Sequence, residues 1–417
     1  MKKSKSRIRP KKPLPSPPAA PAAGAARLEH LAPWLLVLIL CGAFFLYLPC
    51  LDYDFVFDDH MLVAENTIIR SLPLALESML SPISYRPVRT LTYAVDYAVG
   101  GGQPLFFHLS NLLYHVMVIG ALWLVLRAMG LRLGVIIVAL TLFALHPVHI
   151  DAAVYISGRR DLLAAFFSLL SFWCYLQYRR TGRKWLWVPV IVLFLLAFFS
   201  KEAGIVVPIL IFLYDYLDEL RHHREKSAAA SLWAGWRAIW HRGRVIYGVM
   251  FGVGLLLAAY FSFGRTITGK IGWWGGDIVT NFLTVAKIYW YYLFLMVAPV
   301  TLRADYSYDS FPIAFHWGDI LGWVALAGVL VLLGLLVIQA VRGRFTLAFW
   351  GLWFFATLLP MSHIVPHHEL MAEHYLYLPS VGFCVLVALG LKWLYERHRG
   401  VAVAVGILFG VFLAVSG

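Results

Sequence analysis

Runs of apolar residues close to the length needed to cross a bilayer follow one another along most of this chain. A helical span needs about 20 such residues, because each residue advances ~1.5 Å through ~30 Å of hydrocarbon. The runs fall at about 32–49, 105–126, 133–146, 161–178, 185–199, 204–217, 245–263, 318–341, 345–361, 375–394 and 400–417. With 61% hydrophobic and 14% charged residues over 417 positions, a soluble globular domain is excluded. The expected fold class is an all-α polytopic membrane protein of about eleven transmembrane helices, with short helices in its extracytoplasmic loops.

The formal net charge of +13 is informative only loop by loop. Lys2, Lys3, Lys5, Arg7, Arg9, Lys11, Lys12 and Arg27 all precede the first acid, Glu29. A basic tail ahead of a membrane helix marks the cytoplasmic side and can touch anionic lipid. The membrane context sets aside nucleic-acid binding. The Pro/Ala run from Pro13 to Ala26 cannot pack a core, so 1–30 is expected as a disordered tail and 31–417 as the membrane domain. The apolar run from Leu31 to Leu48 is too long for a signal core and is followed by no small-residue cleavage site, so it is expected as a retained first span. Cys41, Cys50, Cys174 and Cys384 lie in or beside apolar segments without metal spacing.

Basic residues orient the spans. Arg127 and Arg132, the Arg179–Lys184 group, Arg221 to Arg244, Arg342 with Arg344, and Lys392 to Arg399 fall on the side of the tail. The stretch Asn281 to Val300 would break this parity if it crossed; it carries Lys287 and ends at Pro299, so it is expected to be re-entrant or interfacial. The C-terminus then faces outward. Charged residues and histidines gather in the outer loops: 50–104, the loop from His146, the Ser200–Glu202 turn, the stretch around Arg303, Asp305 and Tyr306, and the loop from Ser362. No internal repeat of the kind common in transporters is evident.

Within the first outer loop, Asp58 and Asp59 stand where the chain leaves the membrane, an expensive place for acids. One of them can serve as a general base on an alcohol, which is a poor nucleophile until its proton is taken; the plainer reading is a helix cap. Tyr85, Arg86 and Arg89 follow, and arginine's fork suits phosphate, although pairing with Asp52, Asp54 or Glu77 serves equally. His108, Asn111 and His115 lie at i, i+3 and i+7 on one helical stripe, with His108 nearest the outer face and His115 suited to interhelical hydrogen bonding. His146, His149 and Asp151 could ligate a metal, with His363, His367, His368 and Glu369 as a second source. Zinc sites are usually tighter, so the preferred role of the loop is to hold Arg159 and Arg160 at a cavity rim, with Asp161 orienting one of them. Lys201, with Glu202, sits between two apolar runs, where a lysine costs ~2.5–3.5 kcal/mol at bilayer centre and less near the interface. It either forms a salt bridge or neutralises a phosphate. Glu373 and His374 either bind a donor or belong to an interfacial turn with Tyr375 and Tyr377.

These motifs, FVFDD (55–59), YRPVRTLTY (85–93), HLSNLLYH (108–115), LFALHPVHIDAAVYISGRRDLL (142–163), SKEAGIVVP (200–208), LRADYS (302–307) and EHYLYLPSVGF (373–383), resemble in order the membrane half of the TMTC-like proteins, the transmembrane and tetratricopeptide-repeat O-mannosyltransferases. The resemblance runs from Asp52 to Leu386. It implies a GT-C glycosyltransferase fold with its site on the lumenal or periplasmic face, in a bacterial inner membrane or the endoplasmic reticulum. It implies a polyprenyl- or dolichyl-phosphate sugar donor, mannose foremost, and a protein Ser or Thr acceptor. Asp58 or Asp59 would be the base, with Arg86, Arg159, Lys201 and His374 around the donor.

Two departures stand out. Family members carry tetratricopeptide repeats after the membrane part, whereas this chain stops at Gly417 inside an apolar run, which bears on the acceptor more than on the donor. Asp151 also stands where a Glu is expected. The sequence reading is therefore inverting transfer, with Arg86, Arg89, Arg159, Arg160, Lys201 and His374 on the donor phosphate. His108, Asn111, His146, His149, Asp151, Glu202, Asp305 and Glu373 would line the cavity. Phosphate leaves readily once its charge is matched, so no cofactor is required and a divalent cation is optional. The alternatives are a lipid or glycan acceptor, or a lipid-linked sugar flippase.

Overall fold

The computed structural model describes residues 23–80, 86–222, 227–268, 272–306, 310–364 and 369–416, and every regular element among them is helical. Helix α1 (Ala23–Leu46) begins inside the stretch expected as a tail, because its alanines favour helix and run directly into the apolar segment. Residues 1–22, Tyr85, Lys270, His367, His368 and Gly417 lie outside the described residues. The first outer loop holds α2 (Leu72–Leu80), as expected, and α3 (Pro87–Gly100), which the apolar pattern does not reveal. Pro87 opens α3, and Gly101, at φ 63°, closes it.

The membrane bundle follows: α4 (Pro104–Ala128), α5 (Leu133–Leu145), the short α6 (Ile150–Ala153), α7 (Arg159–Thr181), α8 (Trp187–Ser200), α9 (Val206–His222) and α10 (Ala228–Thr268). Then come α11 (Ile278–Val297), α12 (Ile320–Val341), α13 (Phe345–Leu358), α14 (Ser380–Arg397) and α15 (Arg399–Ser416). Each of the eleven expected runs is helical, but among the described residues four helices are long and apolar enough to cross alone: 29–52, α4, α11 and α12. The pair around His146, bent by 54°, makes a fifth. Other runs fall short because their apolar helices are shorter, as at Lys184–Ser200 and Phe345–Met361, or because, as in α7, charged residues occupy both ends of the helix.

Ion pairs join the ends that the basic residues assign to one side. Arg127 at the end of α4 meets Glu29 at 2.9 Å, and Arg132 before α5 meets Glu396 of α14 at 3.3 Å. Helix α11 is an unbroken twenty-residue helix and is long enough to cross. Yet Asn281 near its start donates to the His363 carbonyl at 3.2 Å, and the Met296 carbonyl at its end lies 3.0 Å from His146 Nε2. His146 and His363 both belong to loops at the end opposite the basic one, so both ends of α11 touch that end, while its middle packs along the first turns of α12, where Trp290 donates to the Ala325 carbonyl at 2.9 Å. Lys287 is accommodated there by Asp319 at 2.7 Å. The core packs between α4, α5, α7, α9, α13 and α14 around Leu122, Ile136, Phe143, Phe172, Trp350 and Trp353, and it fixes the helices that carry the loops of the opposite end.

Candidate active site

The loops at that end converge. Asp59 is fully buried, and its carboxylate accepts from the Ser157 amide at 2.9 Å and the Val56 amide at 3.3 Å. The first bond ties loop one to the turn ahead of α7. Burial raises the Asp59 pKa to about 6, against the lowering effect of those two amides. Asp58 beside it is exposed; its backbone amide donates to the Tyr155 hydroxyl at 3.0 Å. Phe57, immediately before, has φ 46°, a left-handed conformation costly for a bulky residue, and its largely exposed ring meets Tyr155 edge-on at 6.4 Å. Tyr155, whose pKa is raised by burial and then by both acids, sits between Asp58, Asp59 and Arg160.

The cations are held mainly by acids from other loops. Arg86 clamps Glu202 with both arms of its guanidinium, at 2.8 to 3.1 Å, from a left-handed backbone of φ 58° directly before Pro87. Glu202 is held below the usual carboxylate range because the Arg86 charge outweighs the opposing effect of burial. Lys201 is buried, with Nζ 2.6 Å from Asp161 and 4.7 Å from the Tyr375 ring centroid. Burial lowers the Lys201 pKa, and Asp161 opposes that shift. Arg160 reaches His374 Nε2 at 3.3 Å and Asp161 at 3.6 Å. His374 Nδ1 lies 2.7 Å from Asp151, which also accepts the His374 amide at 3.0 Å. Burial raises the Asp151 pKa, but His374 and Arg160 lower it more. A small cavity is lined by Asp161, Lys201, His374, Tyr375 and Tyr377.

Other expected residues take different places. Arg159 was expected at a rim, but it is wholly buried. It pairs with Asp96, donates to Asn111 and to the Phe107 carbonyl at 2.8 Å each, and lies 4.5 Å from the Tyr93 ring centroid. Its donors are turned into the bundle because α7 begins at this residue and its side chain points back between α3 and α4. His108, expected to line the cavity, is buried against the Val154 carbonyl at 2.9 Å, and Asn111 donates to the Tyr155 carbonyl at 2.9 Å; both pin the second outer loop. His146 meets Met296, and His149 meets Ser380 at 2.9 Å, so both are packing residues. His115 bonds the Tyr377 hydroxyl at 2.7 Å, the interhelical contact its position suggests. Arg89 is buried 5.7 Å from the Tyr93 ring centroid, and Asp305 is exposed.

Glu373 is buried and accepts from the Arg303 amide at 2.6 Å and the Tyr306 hydroxyl at 2.8 Å, fastening the 298–319 segment to the site. Burial raises its pKa to about 7. Among the described residues no three His, Cys, Asp or Glu side chains gather as a metal's ligands would. Sequence reasoning missed Tyr155, Tyr93 and Asp96. The signal for Asp96 is an acid inside the apolar stretch YAVDYAV, which on a helix asks for a buried partner.

Gly158 and Gly204 let these loops close. A Cβ at Gly158 would stand 2.6 Å from the Asp151 and Ala152 carbonyl oxygens, and one at Gly204 would stand 2.4 Å from the Ala197 backbone.

Among curated proteins, the chain is 29% identical over 93% of its length to a Mus musculus protein named Protein O-mannosyl-transferase TMTC4. It is 30% identical over 92% of its length to the Homo sapiens protein of that name; in both cases it covers 60% of the relative. It is 28% identical over 87% of its length to Protein O-mannosyl-transferase F38B6.6 of Caenorhabditis elegans, covering 52% of it. The chain thus spans between about half and three fifths of the length of these relatives. No family model matches the chain, and no solved structure matches it. With helices in series among the described residues, apolar segments along the chain and these relatives over most of its length, the chain is an all-α membrane protein similar to the membrane part of the TMTC proteins.

Proposed function

We propose that this chain is a membrane glycosyltransferase of the GT-C class, moving a sugar from a polyprenyl- or dolichyl-phosphate donor to protein Ser or Thr hydroxyls. Mannose is the sugar named by the relatives it resembles. The observation that carries the reading is the gathering at one end of the bundle of Arg86, Arg160 and Lys201 from three separate loops, with the exposed Asp58 tied to the same end through Tyr155, which feels the charges of both Asp58 and Arg160. That end is the lumenal or periplasmic face, because the opposite end carries the basic anchors.

Asp58 is the base. Its carboxylate is accessible to an incoming hydroxyl, whereas the Asp59 carboxylate is enclosed and holds the loop in place through the Ser157 amide. The acceptor oxygen attacks the anomeric carbon as Asp58 takes its proton, the bond to the phosphate oxygen breaks on the opposite face, and the configuration inverts. Arg160 and Lys201 meet the departing phosphate charge, with Arg86 beside them. Their acidic partners, Asp161 and Glu202, keep these cations aimed in a place where an unpaired charge is expensive. Arg159 acts through Asn111 and Asp96 as a strut. Asp151 fixes the ring of His374 and so the face that it turns to Arg160.

The test is mass spectrometry of periplasmic or lumenal proteins from cells with and without the gene. Hexose on Ser or Thr that disappears with the gene is expected. A hexose lost only from lipids or glycans would reassign the acceptor, and no change in either would overturn the transferase reading.

A further inference from the structure

The first turns of α10 are built inside out. Between 231 and 240 the buried positions are Ser231, Gly235 and Ile239, one every four residues, a narrow stripe turned toward α9. A Cβ on Gly235 would stand 3.0 Å from Leu220 of α9, and the Tyr216 hydroxyl donates to the Leu232 carbonyl at 3.0 Å. The opposite face carries Trp233, Trp236, Arg237 and Trp240, all exposed. Water favours the reverse, with small residues outside and tryptophans within. The segment also turns away from the rest of its helix. The Phe212 ring of α9 lies 6.0 Å from Trp236 and 6.1 Å from Phe251, although a straight helix would part those two positions by ~22 Å. Helix α10 therefore bends between them, and its first turns cross the end of α9. That is the basic end of the bundle, where Asp218 of α9 meets Arg179 at 3.0 Å.

One device recurs at this end. Arg237 lies 5.8 Å from the Trp233 ring, Arg397 lies 4.3 Å from Trp393, and Arg399 lies 5.3 Å from Tyr395, each arginine four residues after its ring. Arg127 repeats it over Trp123 at 5.7 Å and has Glu29 as its counter-charge. Among the described residues no acid pairs with Arg237, Arg397 or Arg399, whereas Arg86, Arg160 and Lys201 at the site end all have acidic partners. The missing negative charge must come from outside the chain. Indoles settle at the headgroup level of a bilayer, and arginines there are drawn to anionic lipid. We propose that the exposed face of 233–240 lies in the headgroup layer at the basic end and binds anionic phospholipid. Arg237 meets the lipid phosphate, and Trp233, Trp236 and Trp240 set its depth; Arg242 and Arg244 follow in sequence. Since α9 starts directly after the Glu202–Ile205 turn, the anchored segment grips the far end of the helix that follows this part of the site.

The test places the full chain in nanodiscs of phosphatidylcholine with a minority of phosphatidylglycerol. Two probes are compared at equal dose, one of each lipid, both carrying a diazirine beside the glycerol, and adducts are mapped by mass spectrometry. The phosphatidylglycerol probe should label 233–240 about fivefold more than the phosphatidylcholine probe, and its excess should shrink as salt is raised. Arg237→Gln, at an exposed position, should remove most of that excess, while Arg237→Lys, which keeps the charge, should retain it. Circular dichroism checks that both variants keep their helices, and mapping on the unaltered chain requires neither. Equal labelling by the two probes would overturn anionic recognition and leave the tryptophans as a general interfacial anchor. No adduct on 233–240 from either probe would overturn the membrane placement of this face, as expected if a protein partner covers it. Neither result bears on sugar transfer.

Discussion

At the scale of single residues, the two neighbouring aspartates differ in that one is exposed and the other is enclosed, and the proposed reading gives them separate tasks on that ground. Asp58→Asn should lower transfer by at least ~10²-fold, the scale of a lost general base, with the thermal midpoint unchanged. The Asp59 carboxylate must be ionised to hold the Val56 and Ser157 amides fully, and burial places that ionisation at about pH 6. Transfer is therefore expected to be full above that pH and to fall as pH drops through it. Asp59→Asn should be slower at every pH and lack this inflection, as a pH–rate profile of each protein would show. Arg159→Met leaves Asp96 buried without its partner, so it should cost about 3–5 kcal/mol of stability, read by unfolding in detergent. The two aspartates, Arg160, Lys201 and His374 were legible as candidates because charges beside long apolar runs stand out. The difference between Arg159 and Arg160 was not, since consecutive helix residues point some 100° apart and only the packed bundle shows which one turns inward.

At the scale of elements, what matters is how the apolar helices end. Among the described residues, the non-glycine positions with positive φ, Phe57, Arg86 and His363, all lie in the loops of the candidate site; Arg86 and His363 are buried in contacts that can hold a conformation worth ~1–3 kcal/mol of strain, whereas Phe57 is largely exposed. Gly204 lets the Glu202–Ile205 turn lie against the end of α8, so Gly204→Ala should cost about 1–3 kcal/mol by forcing the Ala197 backbone aside. It should also weaken lipid-phosphate binding, because the same shift moves Lys201 and Glu202. Differential scanning fluorimetry and a lipid-phosphate binding titration check the two parts separately. The apolar runs and α2 were visible in the sequence; α3 was not, because Arg89, Thr90, Thr92 and Asp96 break its apolar pattern, Asp96 pairing with Arg159 while the two threonine hydroxyls bond back to Arg86 and Arg89. The single-turn endings were equally hidden, since hydropathy does not register where a helix tightens.

At the scale of the whole molecule, the basic end and the site end are opposite faces of one bundle, and both ends of α11 touch loops of the site end, which on the proposed topology keeps it from crossing. Single cysteines placed at Asp277 and at Val300, flanking α11, should therefore both react with a membrane-impermeant maleimide applied from the outer side. Reaction of only one would make α11 a true span and invert every helix after it. The alternation of basic loops carried most of this topology, but the length of α11 alone argues the other way, and only its contacts at both ends decide. The relatives are 28–30% identical to this chain along most of its length, and the proposed function reads the gathering of its loops in the light of that likeness. The most direct measurement supplies a labelled polyprenyl-phosphate sugar and a Ser/Thr peptide to the purified full chain in nanodiscs, beside Asp58→Asn and Lys201→Met variants of equal helical content. The account predicts transfer with inverted configuration by the unaltered chain, none by Asp58→Asn although it still binds the lipid phosphate, and weakened lipid-phosphate binding by Lys201→Met. Undiminished transfer by Asp58→Asn would contradict it.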